Sequence, residues 1–374
     1  MSGKTIAIIR GSRPNVVSFY EKFERFKVKY ISASFKSFDH KSTKKNFEFI
    51  NLPYYNFLKF DPARLITQYG NLSFAFIKNL EEHLGGVDII NISDTYYFSN
   101  LQAVNWALKN KVPIVTVVWC TIPNHITTWF PPYSFITKKI VEATDLFILR
   151  SRTTLKFSDS LNIPRSKTKV IYKGIDLQKF SPSPVTSHRS QITILFTGNL
   201  SRAKGLDDLL CVFEELRRHY KDLRLIVAGS GEMREQVKRL SLSSTSVEFR
   251  GFVPYKRLPD LYREADIYCA PSKDAKIFGI KYWEEYFSYT LMEAQASSLP
   301  IVSTHSGGIC EEVGDGNLLV AQGDTDALKT ALESLILDKN KREKIGRQNR
   351  ARAEKFFDEK IQAQRTEEAI LKLL

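Results

Sequence analysis

Cysteine is scarce in this chain. Cys120, Cys211, Cys269 and Cys310 are four among 374 residues, far apart and without a C-x-x-C pair. That spacing excludes a zinc ribbon, a redox dithiol and a disulfide framework, and its simplest reading is four buried free thiols. Also missing is any apolar run near the roughly 20 residues that a membrane span needs. Met1-Ser-Gly-Lys4 leads into a short strand pattern rather than a signal peptide. The expectation is a cytoplasmic chain, at most peripheral on the inner face of a membrane. Acidic residues are the third shortage, with 41 Asp and Glu against 55 Lys and Arg, a net charge of +14.

The charge is unevenly distributed. Residues 1–175 hold 25 basic and 12 acidic residues, whereas residues 176–374 hold 30 and 29. Scattered lysines usually make a solubilising face, but an excess of thirteen in one half attracts polyanions. Lys22, Lys27, Lys29, Lys36, Lys41, Lys44 and Lys45 lie among Phe35, Phe38, Phe47, Phe49, Tyr54, Tyr55 and Phe57. Basic residues interleaved with aromatics suit an anionic membrane surface, or equally a nucleic acid.

Length and rhythm set the fold class. A chain this long suits two domains of about 150–200 residues each. Short apolar runs at Thr5–Ile9, Val87–Ile92, Val112–Val118, Asp145–Leu149 and Val170–Tyr172 alternate with amphipathic stretches. Ser181-Pro-Ser-Pro-Val-Thr-Ser187 interrupts them as a Pro/Ser-rich linker. The alternation restarts at Ile192–Phe196, Leu223–Ala228, Val247–Phe249, Ile267–Ala270 and Ile301–Val302. Strands that alternate with helices in this way predict an α/β protein with two Rossmann-like domains and parallel sheets. The expected boundaries are 1–180 for the first domain, 181–190 for the linker and 191–350 for the second domain. A helical segment, 351–374, is expected to return to the first.

Three loops of the second domain carry candidate chemistry. Thr197-Gly-Asn-Leu-Ser-Arg-Ala-Lys-Gly205 joins a strand to a helix, offering free N–H groups, a positive dipole end and the cations Arg202 and Lys204 to a phosphate. Ala228-Gly-Ser-Gly-Glu232 repeats the pattern, although short glycine turns are common in α/β folds. Glu285 and Glu293 are separated by seven residues and followed by Pro300-Ile-Val-Ser-Thr and Gly307-Gly308. Glu285 lies in an aromatic, irregular stretch, and Glu293 opens Glu-Ala-Gln-Ala-Ser, which reads as the body of a short helix ending near Ser298. Asp324-Thr-Asp326 offers a superficial metal-binding D-x-D but reads as a helix N-cap with a first-turn acid.

These motifs resemble, in order, those of the retaining glycosyltransferase family 4. The residues that carry the resemblance are Lys169 to Pro182, Gly198 with Lys204-Gly205, and Ala228-Gly-Ser-Gly231. They continue with Phe249-Arg-Gly-Phe-Val through Pro271-Ser272, Glu285-x7-Glu293, and Pro300-Ile-Val with Gly307-Gly-x-x-Glu311. The resemblance implies a GT-B architecture of two facing Rossmann-like domains. It also implies transfer of a hexose from a nucleoside-diphosphate sugar to an acceptor hydroxyl, with retention and with neither metal nor cofactor. Glu293 would hold the ribose hydroxyls and Glu285 the donor sugar. Arg202 and Lys204 would neutralise the departing diphosphate, with Gly198, Asn199, Gly229, Gly231, Gly307 and Gly308 lining the donor site.

The chain departs from the family pattern at several positions. Asn199 stands where the family usually has Arg, Ser288 and Ser298 where it often has Gly, and Lys173 where it often has Asn. Asp315 to Val320 makes a shorter loop than usual, and the acceptor loop is reduced to Gly11-Ser-Arg-Pro14, leaving Gly11 and Arg13 as acceptor-side candidates. His125 is the catalytic candidate of the first domain, displaced by several residues from the family's histidine, with a structural histidine as the competing reading. The expected partners are a nucleotide sugar, a glycan or lipid-linked acceptor and an anionic membrane reached through the basic half. Two alternatives come from other classes. One is a nucleic-acid-binding or nucleic-acid-glycosylating GT-B protein, for which no motif is present, and the other is an inactive GT-B scaffold.

Overall fold

The computed structural model describes residues 3–11, 13–33, 40–56, 75–182 and 191–374. Phe35, Lys36, Phe38, Phe57 and linker residues 183–190 lie outside the described residues. The chain forms two compact units. The first comprises Met1–Gly174, Lys276–Trp283 and Glu359–Leu374, and the second Ile175–Ala275 and Glu284–Asp358.

The strands of the first unit are β1 (Thr5–Ile9), β2 (Lys27–Ala33), β3 (Phe47–Leu52), β4 (Tyr54–Asn56), β5 (Ala75–Ile77), β6 (Ile89–Ser93), β7 (Ile114–Val118), β8 (Leu146–Leu149) and β9 (Thr168–Val170). Seven of them form a sheet in the order β3-β2-β1-β6-β7-β8-β9, in which every pairing is parallel. β4 and β5 make a separate antiparallel pair. Ile6, Ala7 and Ile8 of β1 and Ile89, Ile90 and Ile92 of β6 are fully buried, as continuous apolar runs in a parallel sheet covered on both faces must be.

β2 and β3 are elements the sequence pattern does not reveal. In β2, Lys27 and Lys29 alternate with Val28, Tyr30 and Ile31, and the lysines are the residues that reach solvent. Phe47 of β3 is buried, and Phe49 stacks on Tyr30 with ring centroids 5.7 Å apart. These interleaved aromatics therefore serve sheet packing, whereas Tyr55 is exposed.

The terminal helix Glu359–Leu371 packs in the first unit through buried polar contacts. Glu367 accepts the N–H groups of Glu24 (2.9 Å) and Arg25 (2.7 Å) just beyond the helix Pro14–Glu21. Glu359 pairs with Lys22 at 3.0 Å.

In the second unit, β10 (Ile192–Asn199), β11 (Leu223–Ser230), β12 (Val247–Gly251) and β13 (Ile267–Ala270) come first. The chain then makes a two-stranded hairpin of β14 (Ala275–Ile277) and β15 (Ile280–Trp283), which from Lys276 onward belongs to the first unit, before returning to the second for β16 (Ile301–Thr304) and β17 (Leu318–Val320). The six-stranded parallel sheet runs β12-β11-β10-β13-β16-β17. Its core joins Phe196, Leu209, Phe213, Leu225, Val227 and Ile267 to Leu328, Leu332 and Leu335 of the helix Thr325–Leu337. Asp324 caps that helix, accepting from Ala327 N at 2.9 Å, as its place before an apolar repeat predicts.

The helix bearing Glu293 runs Tyr289–Ala296 with Ser288 in the extended N-cap position, so Glu293 lies in the body of a short helix, as expected. Two expectations need correction. Leu318–Val320, read as part of a loop, is the edge strand β17. Cys120 and Cys269 are buried, but Cys211 and Cys310 are exposed. Each of these two lies on the outward side of a helix, at Leu206–His219 and Ile309–Val313 respectively.

Candidate active site

The carboxyl ends of β10, β13 and β16 bring three loops of the second unit together, where open parallel sheets hold ligands. The β10 loop passes through the turn Arg202–Lys204 to Gly205, whose φ of +68° begins the helix Leu206–His219. A Cβ on Gly205 would lie 1.8 Å from the Pro271 carbonyl oxygen, so only glycine allows this loop to close onto the end of β13. The same closeness recurs at Gly307, where a Cβ would stand 2.3 Å from Glu285 O, and at Gly308, where it would stand 2.1 Å from Tyr286 O.

Glu285 is the point on which these loops converge. Its Oε2 accepts from Lys204 Nζ, in a short ion pair, and from Ser272 Oγ at 3.2 Å. Its N–H donates to Ser306 Oγ at 3.2 Å, and its carbonyl oxygen accepts from Gly308 N at 2.8 Å. Residues 204, 272, 285, 306 and 308 are thus locked as one cluster. The side chains of Lys204 and Glu285 are 20% and 10% exposed, a mostly dry setting in which a charge needs its partner. Behind it, Ser306 Oγ donates to Asp274 at 2.7 Å, and Asp274 also accepts from Gln322 Nε2 at 3.1 Å. Lys273 turns away to Asp207 and Asp208 in the first turn of the helix Leu206–His219. Burial works against the Lys273 charge, but Asp208 and Asp207 override it and its pKa is raised.

Glu293 occupies a second, drier position in the same unit. Its Oε2 accepts from Tyr262 OH at 2.8 Å, and that hydroxyl contacts Thr197 Oγ1 at 2.8 Å, which lies 3.3 Å from Tyr268 OH. Burial pushes the Glu293 carboxyl up to about 8, against the Tyr262 hydrogen bond and Lys179, which lower it. A carboxyl held there is largely protonated at neutral pH, and so can donate as well as accept. Glu312 supports the helix that carries it, since its Oε2 accepts from Ser288 N at 2.7 Å, and burial holds the Glu312 carboxyl well above its ordinary range.

The remaining donor-side candidates line the neighbouring loops. Asn199 and Ser230 are register partners at the ends of β10 and β11. A Cβ on Gly229 would meet Gly198 O at 1.8 Å, and one on Gly231 would meet Leu200 O at 2.4 Å and Asn199 Oδ1 at 2.5 Å. Arg202 is exposed, and its N–H donates to Glu232 at 3.0 Å.

Gly11, Arg13 and His125 belong to the first unit. The Gly11 carbonyl accepts from Tyr30 OH at 2.8 Å, and a Cβ there would meet nothing within 4 Å. Arg13 is the N-cap residue of the helix Pro14–Glu21. His125 is 2% exposed and caps the turn Ile126–Thr128. Its Nδ1 lies 2.9 Å from Thr127 Oγ1 and its Nε2 lies 3.0 Å from the Tyr282 carbonyl oxygen. Thr127 N also donates to Nδ1, which assigns the ring proton to Nε2.

Sequence reasoning missed Ser272, Ser306 and Tyr262 as site-forming groups. Pro271-Ser272 does mark the end of a strand, but nothing local in the sequence ties Ser306 or Tyr262 to the two glutamates.

Comparison with known proteins bears on the family and the fold. The family Glycosyl transferases group 1 matches residues 179–352, and Glycosyltransferase Family 4 matches residues 35–179. Spore coat protein SA of Bacillus subtilis is 28% identical over 219 residues, covering 52% of this chain and 55% of that protein. A GDP-mannose-dependent alpha-(1-6)-phosphatidylinositol monomannoside mannosyltransferase of Mycolicibacterium smegmatis is 27% identical over 228 residues, 56% of this chain and 57% of its own length. The chain thus spans little more than half the length of these curated relatives. Among solved structures, Anabaena Alr3699/HepE in complex with UDP superposes with a TM-score of 0.72 at 18% identity, covering 98% of this chain and 100% of that one. Sucrose-phosphate synthase from Thermosynechococcus elongatus gives a TM-score of 0.75 at 16% identity, with 99% of each chain covered. At such identities the likeness is one of fold. With two adjoining family matches from residue 35 to residue 352 and a full-length GT-B likeness, the chain belongs to the group 1 and family 4 glycosyltransferases.

Proposed function

We propose that the chain is a retaining, metal-independent hexosyltransferase that takes a sugar from a nucleoside diphosphate and places it on an acceptor hydroxyl. The observation that carries this reading is the Lys204–Glu285–Ser272 cluster, closed by Gly205 and Gly307-Gly308 at the end of a parallel sheet. The leaving diphosphate gains negative charge as the glycosidic bond breaks. Lys204 and the exposed Arg202 stand where they could receive that charge, which is how cations lower such a barrier. These cations fill the place of a metal in the proposal, and retention is the stereochemistry it adopts from the resemblance to the retaining glycosyltransferases.

Glu285, released from Lys204 as the diphosphate arrives, would accept from donor-sugar hydroxyls. Glu293, with Oε2 on Tyr262, would offer Oε1 to the ribose. Support for the donor class comes from relatives, since one is named for GDP-mannose and HepE was solved with UDP and glucose. His125 acts in this reading from the first unit, where its Nε2–H is held by the Tyr282 carbonyl.

For the acceptor, we propose a glycan or lipid-linked hydroxyl presented at an anionic membrane. The first unit contains 30 Lys and Arg against 15 Asp and Glu, a net of +15, while the second is at −1. A basic face gains about 1 kcal/mol per Lys or Arg brought near an anionic leaflet.

A thermal-shift series with UDP, GDP, ADP and their hexose conjugates tests the donor site. A ligand at 100 times its Kd adds about 2.7 kcal/mol of stability, so at least one nucleotide should raise the melting temperature clearly. That shift should vanish in Lys204→Ala, and the best sugar nucleotide should be hydrolysed slowly to free nucleotide. If no nucleotide or sugar nucleotide stabilises the protein, the donor-site reading fails.

A further inference from the structure

The hairpin β14–β15 carries an apolar tip that the fold does not use. Phe278 is 100% exposed, and Ile277 and Ile280 beside it are 37% and 41% exposed. The turn is made by Phe278 and Gly279, with φ of +47° and +80°. Two positive φ values in a two-residue hairpin loop favour Asn-Gly or Gly-Gly, and a bulky aromatic at the first position is strained. A side chain that is both strained and fully in water contributes nothing to folding.

The tip belongs to the strongly basic first unit, and Lys276 and Lys281 flank it in sequence. Its base is joined there, through the Tyr282 carbonyl, to His125 Nε2 at 3.0 Å. His125 caps the turn Ile126–Thr128, and the next residues hold a second set of exposed aromatics: Trp129 at 49%, Phe130 at 41% and Phe135 at 70%. Lys138 and Lys139 follow on the exposed side of the helix Tyr133–Ala143.

We propose that the hairpin tip Ile277-Phe278-Gly279-Ile280, together with Trp129, Phe130 and Phe135, is an interfacial anchor that inserts into an anionic phospholipid surface. The composition commits to that occupant. Aliphatic and aromatic side chains bounded by lysines match a headgroup boundary, where apolar groups enter the acyl region and ammonium groups meet lipid phosphates. A carbohydrate platform would instead pair its rings with hydrogen-bonding side chains, and the tip has none. The inference rests on the membrane-borne acceptor proposed above. It adds to that reading a non-electrostatic contact at named residues, and it gives His125 a positioning role at the joint between the two apolar segments.

Co-sedimentation with vesicles of phosphatidylcholine containing roughly one-third phosphatidylglycerol tests it, using the full chain at low and high salt. The wild type should bind at low salt and retain residual binding at high salt, because apolar insertion is not screened. Phe278→Asn should lower the partition coefficient about tenfold, an effect within that of withdrawing one aromatic ring from an apolar phase. Asn-Gly suits the turn better than Phe-Gly, so the variant should melt at or above the wild-type temperature. Trp emission from Phe278→Trp should shift to the blue on adding vesicles, beyond any shift of the wild type. Equal binding by wild type, Phe278→Asn and Ile277→Ser/Ile280→Ser overturns the anchor and leaves the electrostatic reading standing. Absence of wild-type binding at every salt concentration overturns both. Self-association without vesicles that Phe278→Asn abolishes would make the occupant a second copy of the chain, and would overturn the lipid assignment.

Discussion

Breaking the Lys204–Glu285 pair should cost far more from one side than from the other. Glu285 is 8% exposed and takes its charge compensation from Lys204, with Ser272 Oγ as its other side-chain donor. Lys204→Met strands that carboxylate in a mostly dry setting, and stranding a buried charge costs about 3–5 kcal/mol. Incomplete burial places the expected value near the lower bound, at about 3 kcal/mol. Glu285→Gln leaves a lysine whose side chain is 20% exposed and can turn to water, so about 1 kcal/mol is expected. The double variant has no orphaned charge and should lose about 2 kcal/mol rather than the summed 4, a coupling of about 2 kcal/mol. Trp106, Trp119, Trp129 and Trp283 all lie in the first unit, so tryptophan fluorescence during denaturation follows that unit, while far-UV circular dichroism follows both. The coupling should appear in the transition that fluorescence does not see. Single-variant losses that add to within about 0.5 kcal/mol would refute the claim that the two charges depend on each other.

Two further outcomes follow from burial and backbone geometry. The folded-state pKa of Glu293, about 8, exceeds its unfolded value, so the folded protein binds more protons between the two and loses stability as pH rises through that window. Denaturation midpoints from pH 5 to 9 should fall more steeply for the wild type than for Glu293→Gln, and parallel curves would refute the shifted titration. Gly307 and Gly323 both have positive φ, at +48° and +77°, but a Cβ on Gly323 meets nothing within 4 Å whereas one on Gly307 strikes Glu285 O and Glu284 Cγ. Gly323→Ala should therefore cost only the left-handed backbone penalty, about 1–2 kcal/mol, with nucleotide binding intact. Gly307→Ala should cost more and abolish nucleotide-induced thermal shifts, and equal losses from the two would count against the close approach at residue 307.

What the sequence makes legible depends on the range of the interactions involved. β1, β7, β10 and β11 announce themselves because strands buried on both faces are runs of Ile, Val and Leu. β2 escapes notice because Lys27 and Lys29 interrupt the run, and basic alternation resembles a surface patch until the pairing with β1 and β3 is seen. The hairpin β14–β15 is hidden for a related reason: its turn is Phe-Gly, not Asn-Gly, so local chemistry does not mark it. Glycine spacing pointed to the loops around Lys204 and Gly307 because close backbone approach leaves a signature in sequence. The pairing of Lys204 with Glu285 across 81 positions leaves none, nor does the burial that turns Glu293 into a weak acid. The site's parts were readable; their mutual electrostatics were not.

The division of the chain has a consequence for biosynthesis. The first unit is assembled from three separated segments, the last of which is Glu359–Leu374. Until that helix leaves the ribosome, the N–H groups of Glu24 and Arg25 lack the Glu367 carboxylate, and Lys22 lacks Glu359. A nascent chain that has already made both sheets must therefore wait with one face of its first unit uncovered. Completion of the first unit thus waits on synthesis of the whole second unit, and a nonsense codon a few residues before position 359 would release a protein with an intact donor cluster and an unfinished amino-terminal unit.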